Sequence, residues 1–166
     1  MPRERLEERY ADNRRQMEDY LDAHPELGEL REAVESALAR GYDIYDFDPD
    51  RGYLTWASGN LATAVNVVVT VPGTGTTMQL LTDVMGRTNG HHMNTYGDTA
   101  TLTTLAWMPP PKLRDNFRLD VYERTLVSGP LGDYLTHLDG LSKNIVVTGH
   151  SAGGAAVQTL FAERPD

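Results

Sequence analysis

The pentapeptide Gly149-His150-Ser151-Ala152-Gly153 holds the residue of this chain best suited to covalent chemistry. A serine between two glycines in a G-x-S-x-G pattern is the signature of a nucleophile elbow, a strained strand-to-helix turn that exposes a serine hydroxyl above a sheet. The flanking residues have the required character. Ile145-Val146-Val147 reads as a strand, and Ala152 to Glu163 reads as a helix. Glycines at 149 and 153 allow neighbouring backbone to approach the turn closely. The turn also aims the amide of Ala152 at a developing oxyanion, and the helix start adds its positive end. The chemistry this implies is acyl transfer through a covalent intermediate on Ser151.

A second glycine-rich piece, Pro72-Gly73-Thr74-Gly75-Thr76-Thr77, follows the β-branched run of residues 65 to 71. In a serine hydrolase with an elbow, one oxyanion donor comes from the loop after an earlier strand. The amide of Thr74, or that of Gly75, suits this role, and Gly73 and Gly75 let backbone approach a tetrahedral intermediate. One such donor contributes about 2.7–4 kcal/mol in the transition state. A phosphate-binding loop is the rival reading. It lacks support, because neither G-x-x-x-x-G-K-[ST] nor G-x-G-x-x-G is present.

The histidines are His24, His91, His92, His137 and His150. His150 occupies the variable position of the elbow and reads as structural. His91 and His92 sit in a glycine-flanked stretch near Asp98. Adjacent histidines of this kind are commonly solvated, and no third metal ligand has convincing spacing. No metal site is expected. Trp56 and Trp107 read as core or pocket wall.

The elements that must position these groups follow from periodicity. Residues 3 to 40 read as two helices, with Leu27, Leu30, Val34 and Leu38 on one face of the second. His24-Pro25 separates them, since the residue before proline is pushed out of the helical region. Gly41 is a suitable C-cap. Ile44 to Phe47 and Tyr53 to Ala57 flank a turn, Asp48-Pro49-Asp50-Arg51-Gly52, and predict a β-hairpin. Residues 65 to 71 predict a strand buried on both faces. Met78 to Met85 predicts a helix capped by Thr76 or Thr77. Residues 86 to 99 read as loop, Thr101 to Trp107 as a strand, Leu113 to Gly140 as helical pieces, and Asn144 to Thr148 as a further buried strand. From residue 65 strands and helices alternate, which predicts a mostly parallel sheet with flanking helices. The expected organisation is a helical hairpin over 1–41 and an α/β domain over 42–166.

Composition narrows the classes of function. Hydrophobic residues make up 40% of the 166 and charged residues 23%, enough apolar surface for a packed core. The net charge of −9 argues against nucleic acid or anionic membrane as a partner. No cysteine is present, so disulfides, thiolate metal sites and cysteine nucleophiles are excluded. The start, Met1-Pro2-Arg3-Glu4-Arg5-Leu6-Glu7-Glu8-Arg9, lacks the apolar stretch of a signal peptide. No apolar run approaches the roughly 20 residues of a membrane span. A cytoplasmic location is the corresponding expectation. The dense charge on residues 3–40 also suits a helix-to-partner contact.

Five segments occur in one order: Asp46-Phe47-Asp48-Pro49, Gly59-Asn60-Leu61-Ala62-Thr63-Ala64, Val69-Thr70-Val71-Pro72-Gly73-Thr74-Gly75-Thr76, Ala106-Trp107 and Gly149-His150-Ser151. In these the chain resembles the bacterial α/β-hydrolase family long described as a domain of unknown function. The resemblance runs from about residue 42 to the last residue, and the preceding hairpin is similar to that family's helical lead-in. It implies an α/β-hydrolase fold and a Ser-His-Asp hydrolase. It also implies a small-molecule or lipid-like ester substrate and no metal or organic cofactor. Ser151 matches the nucleophile, and the Gly73 and Thr74 amides match the oxyanion loop. One departure is Met108-Pro109-Pro110-Pro111, where a Gly-Tyr-Asp-like segment is expected, so the pocket wall differs there.

The triad is not complete in sequence. The order in this fold is Ser, then Asp or Glu, then His. No histidine follows His150. The acid and base are therefore expected downstream of Asp166, and the fold is expected to be incomplete. Little turnover is expected from these residues alone, and the strand at 144–148 should form an uncovered, aggregation-prone edge. Two other functions share these features. One is an interaction module on a degenerate hydrolase scaffold. The other is an acyltransferase that passes the acyl group to an alcohol.

Overall fold

In the computed structural model, residues 3–87, 98–106, 131–132 and 144–163 are described. Their elements in chain order are α1 (Arg3–Ala23), α2 (Gly28–Ala39), β1 (Asp43–Asp48), β2 (Tyr53–Ser58), β3 (Asn66–Val71), α3 (Met78–Arg87), β4 (Thr99–Thr104), β5 (Asn144–Gly149) and α4 (Ala152–Glu163). The expected strand from Thr101 is found as β4, while its last residue Trp107, the prolines after it, most of the helical pieces from 113 to 140, and His91, His92 and His137 lie outside the described residues. No described helix is long and apolar enough to cross a membrane.

The two lead-in helices end where local chemistry predicts. At His24-Pro25 the chain turns, with the Leu27 amide donating to the His24 carbonyl at 3.0 Å. Gly41, at φ 82°, closes α2. The Tyr42 amide donates to Ala37 O at 3.2 Å and the Gly41 amide to Leu38 O at 3.0 Å, the paired bonds of a Schellman cap. In the β1–β2 turn, Asp48 Oδ1 accepts from the Arg51 amide, and Gly52 adopts φ 70°.

The five strands form one sheet in the order β1-β2-β4-β3-β5. The sheet is mixed, which corrects the expectation of a mostly parallel one. β3 pairs in parallel with β4 and β5, but β1–β2 and β2–β4 are antiparallel. The cause is the hairpin. A tight turn forces β2 to reverse, and β2 then joins β4 against the direction of the parallel trio.

Two apolar clusters lie on opposite faces of this sheet. One joins Val67, Val69 and Val71 of β3 to Ala152, Ala156, Val157 and Leu160 of α4. The other joins Leu54 and Trp56 of β2 to Leu81 and Met85 of α3 and to Leu30, Val34 and Ala37 of α2. Trp56 Nε1 donates to Thr82 Oγ1 at 3.1 Å, which ties α3 to the sheet. β5 corrects a second expectation. It is not buried on both faces, because α4 covers only the Ile145 and Val147 side. Among the described residues β5 pairs only with β3, and Val146 is 54% exposed.

Helix α1 covers the opposite edge. Leu6 joins the α4-side cluster, whereas Met17 and Leu21 join the α3-side cluster, so α1 crosses the β1 edge. There β1 carries a bulge between Ile44 and Asp46. Buried Asn13 donates through Nδ2 to Ile44 O at 3.2 Å and Tyr45 O at 2.7 Å, and Arg9 Nε donates to Tyr45 O at 2.6 Å. The Arg9 guanidinium lies 4.4 Å from the Tyr45 ring centre. These donors satisfy carbonyls that the bulge removes from the ladder. Asn13→Leu keeps the bulk and deletes the donor. It should cost about 1–3 kcal/mol, chiefly through the Ile44 carbonyl, since Arg9 still serves Tyr45 O. A urea midpoint equal to the parent's would refute this role.

Candidate active site

β3 and β5 are neighbours, and their chains leave in opposite directions at the carboxyl ends. The chain from β3 enters α3 on one face, and the chain from β5 enters α4 on the other. In open α/β sheets, such a divergence leaves a crevice at the strand ends where ligands bind. The two motifs sit on these exits. The 72–77 loop follows β3, and the elbow follows β5.

Ser151 has φ 55° and is the one described non-glycine residue with positive φ. An L-residue in that region costs about 1–2 kcal/mol, so neighbouring contacts must impose it. The His150 amide donates to Val71 O at 3.0 Å, which extends the β3–β5 ladder to the residue before the nucleophile. The first-turn amides of Gly153, Gly154 and Ala155 donate to His150 O and Ser151 O at 2.9–3.3 Å. Ala152 is the first residue of α4, and its amide has no acceptor among the described residues. Ser151 and His150 are exposed, whereas Ala152 is buried. No described side chain hydrogen-bonds to the Ser151 hydroxyl.

Three glycines make the junction. A Cβ on Gly153 would strike the carbonyl oxygens of Val71 and Pro72, and one on Gly149 would strike the Gly153 backbone. A Cβ on Gly73 would lie 2.9 Å from His150 O and 3.1 Å from Ser151 Cβ. The 72–77 loop is therefore packed directly against the elbow. Its shape is a turn. The Thr76 amide reaches Gly73 O at 3.4 Å, and Gly75, third of the four turn residues, has φ 71°. Positive φ at that position alone defines a type II turn.

Of the expected site residues, the structure brings Gly73, Ser151 and Ala152 together, with Thr74 and Gly75 in the adjoining turn. The helix cap is resolved in favour of Thr77, whose Oγ1 accepts from the Leu80 amide at 3.2 Å. Thr76 does something the sequence reading did not assign. Its hydroxyl donates back to Gly73 O at 2.8 Å. The available signal was a threonine three residues after the first glycine of the turn. His24 is remote from this junction, contacting Glu26 at 3.1 Å and the Tyr20 ring.

Two clefts lie elsewhere. One, of about 470 Å³, is bounded by Leu6, Tyr10, Asp43 and Asn60. The other, of about 410 Å³, lies between α2 and α3 and is bounded by Glu29, Glu32, Arg40 and Asp83. Neither includes a residue of the elbow or of the 72–77 loop. In the first cleft, burial raises the Tyr10 phenol, with help from the negative charge of Asp43. The Asp43 carboxyl is itself raised by burial against the opposing pull of Arg14. These shifts arise at the amino end of β1, away from Ser151.

A scan against protein-family models found no match to the chain, and searches of curated proteins and of solved structures found none either.

Proposed function

We propose that this chain carries an α/β-hydrolase fold and acts as a serine hydrolase on carboxylic esters or related acyl compounds. The supporting observation is the backbone at Ser151. A non-glycine residue at φ 55°, exposed between a strand and a helix, has the strained geometry of a nucleophile elbow. The loop after β3 lies against it, as an oxyanion loop must.

In this mechanism Ser151 Oγ attacks the acyl carbon while a base outside the described residues takes its proton. The Ala152 and Thr74 amides stabilise the oxyanion of the tetrahedral intermediate. The intermediate collapses, the C–O bond to the alcohol breaks, and the alcohol leaves with the proton. Water, deprotonated by the same base, then attacks the acyl-serine. The acid is released and the Ser151 hydroxyl is restored.

A fluorophosphonate probe tests the reading. With that base in place, incubation should put one adduct on Ser151, located by peptide mass spectrometry and lost in Ser151→Ala. An unmodified Ser151 under conditions that saturate a known serine hydrolase would remove the basis for the proposal.

A further inference from the structure

We propose that Thr76 is a positioning residue for the oxyanion loop. Its hydroxyl holds the Gly73–Thr74 peptide in the orientation that offers the Thr74 amide to an oxyanion at Ser151. The inference rests on the serine-hydrolase reading above and assigns a role to a residue that does not itself touch the reacting atoms.

The Gly73 carbonyl accepts two bonds from Thr76. The backbone bond is 3.4 Å and the hydroxyl bond is 2.8 Å. The first lies beyond the usual range for N–H···O, and the second sits at the usual distance for O–H···O. The side chain therefore supplies the stronger anchor. A trans peptide is planar, so the carbonyl of residue 73 and the amide N–H of residue 74 point in opposite directions. Fixing the first fixes the second.

The loop needs such an anchor because of its own composition. Gly73 and Gly75 flank Thr74, and glycine leaves the backbone free to rotate on both sides. Neither glycine is replaceable at no cost. Gly73 abuts His150 O and Ser151 Cβ, and Gly75 carries the positive φ of the turn. The loop thus combines close approach with weak intrinsic stiffness, and the Thr76 hydroxyl compensates for that weakness. Adjacent threonines divide the work. Thr77 Oγ1 accepts from Leu80 and starts α3, while Thr76 Oγ1 donates backwards into the loop.

With the base in place, the test measures the rate at which a fluorophosphonate modifies Ser151 in the parent protein and in Thr76→Val, Thr76→Ala and Thr76→Ser. Thr76→Val and Thr76→Ala should react at least about tenfold more slowly, a fraction of what deleting a donor outright costs. Thr76→Ser, which restores the hydroxyl, should react at close to the parent rate. With a chromogenic ester the loss should fall on kcat with KM unchanged, the mark of an interaction made in the transition state. Equal rates in all four proteins would overturn the positioning role and leave the nucleophile intact. A Thr76→Ser variant as slow as Thr76→Val would overturn it too. No modification of the parent at Ser151 would instead defeat the hydrolase reading, and the role of Thr76 with it.

Discussion

Thr74→Pro is expected to lower kcat for ester hydrolysis by about 10²–10³, or about 2.7–4 kcal/mol, with little change in thermal stability. Thr74 is the second residue of the type II turn that Gly75 closes at φ 71°. Proline is favoured at that position because its ring presets the required φ. The preceding residue is Gly73, which tolerates the restriction that proline places on its neighbour better than any other residue. The substitution therefore keeps the turn while removing the N–H donor and, with it, the threonine hydroxyl, for which Thr74→Val is the control. Under the proposed mechanism that donor faces the oxyanion, so the loss appears in the transition state and spares substrate binding. Steady-state kinetics with a chromogenic ester, beside a thermal melt, checks it. An unaltered kcat in a folded variant would transfer the donor role elsewhere, with the Gly75 amide the next in line.

Gly153→Ala is expected to be among the costliest additions of a single methyl group, about 1–3 kcal/mol and several degrees in the melting midpoint. The new Cβ would meet the Val71 and Pro72 carbonyl oxygens, which belong to backbone and cannot swing aside. Either α4 lifts from the end of β3 or the 72–77 loop shifts. Both responses disturb the elbow, so Ser151 reactivity should fall along with stability. The neighbouring Gly154 is the control. A Cβ there would lie 3.2 Å from Gly149 O, a tight contact that a small helix shift relieves. Replacing a helical glycine also recovers roughly 0.5–1 kcal/mol of backbone entropy. Gly154→Ala should therefore be close to neutral. Matching midpoints for the two variants would show that the close approach at Gly153 does not govern the junction.

These expectations show where local sequence is informative and where it is not. The strand–turn–helix at 144–163 was legible because each part has its own signal: a β-branched run, two glycines around a serine, and a stretch rich in alanine with no proline before Pro165. The helix breaks at His24-Pro25 and Gly41 and the turn at Asp48–Gly52 were legible for the same reason. Each is written in residues whose backbone preferences act within a few positions. The pairing of the 72–77 loop with the elbow was legible only through a resemblance and a mechanistic rule. Gly73 and Ser151 are 78 positions apart, and nothing local brings them into contact.

The sequence by itself determined the elements: the lead-in helices, the hairpin, the parallel-type strands, the glycines and the candidate nucleophile. The tertiary structure decided their assembly. It put β2 antiparallel to β4, which makes the sheet mixed. It left one face of β5 exposed and carried α1 across the β1 edge, where Asn13 and Arg9 satisfy the bulge. The physical reason is common to all three. Backbone preference acts over one turn or one strand. Which strand is a neighbour, and which carbonyl lacks a donor, depends on burial and hydrogen bonding between residues distant in the chain.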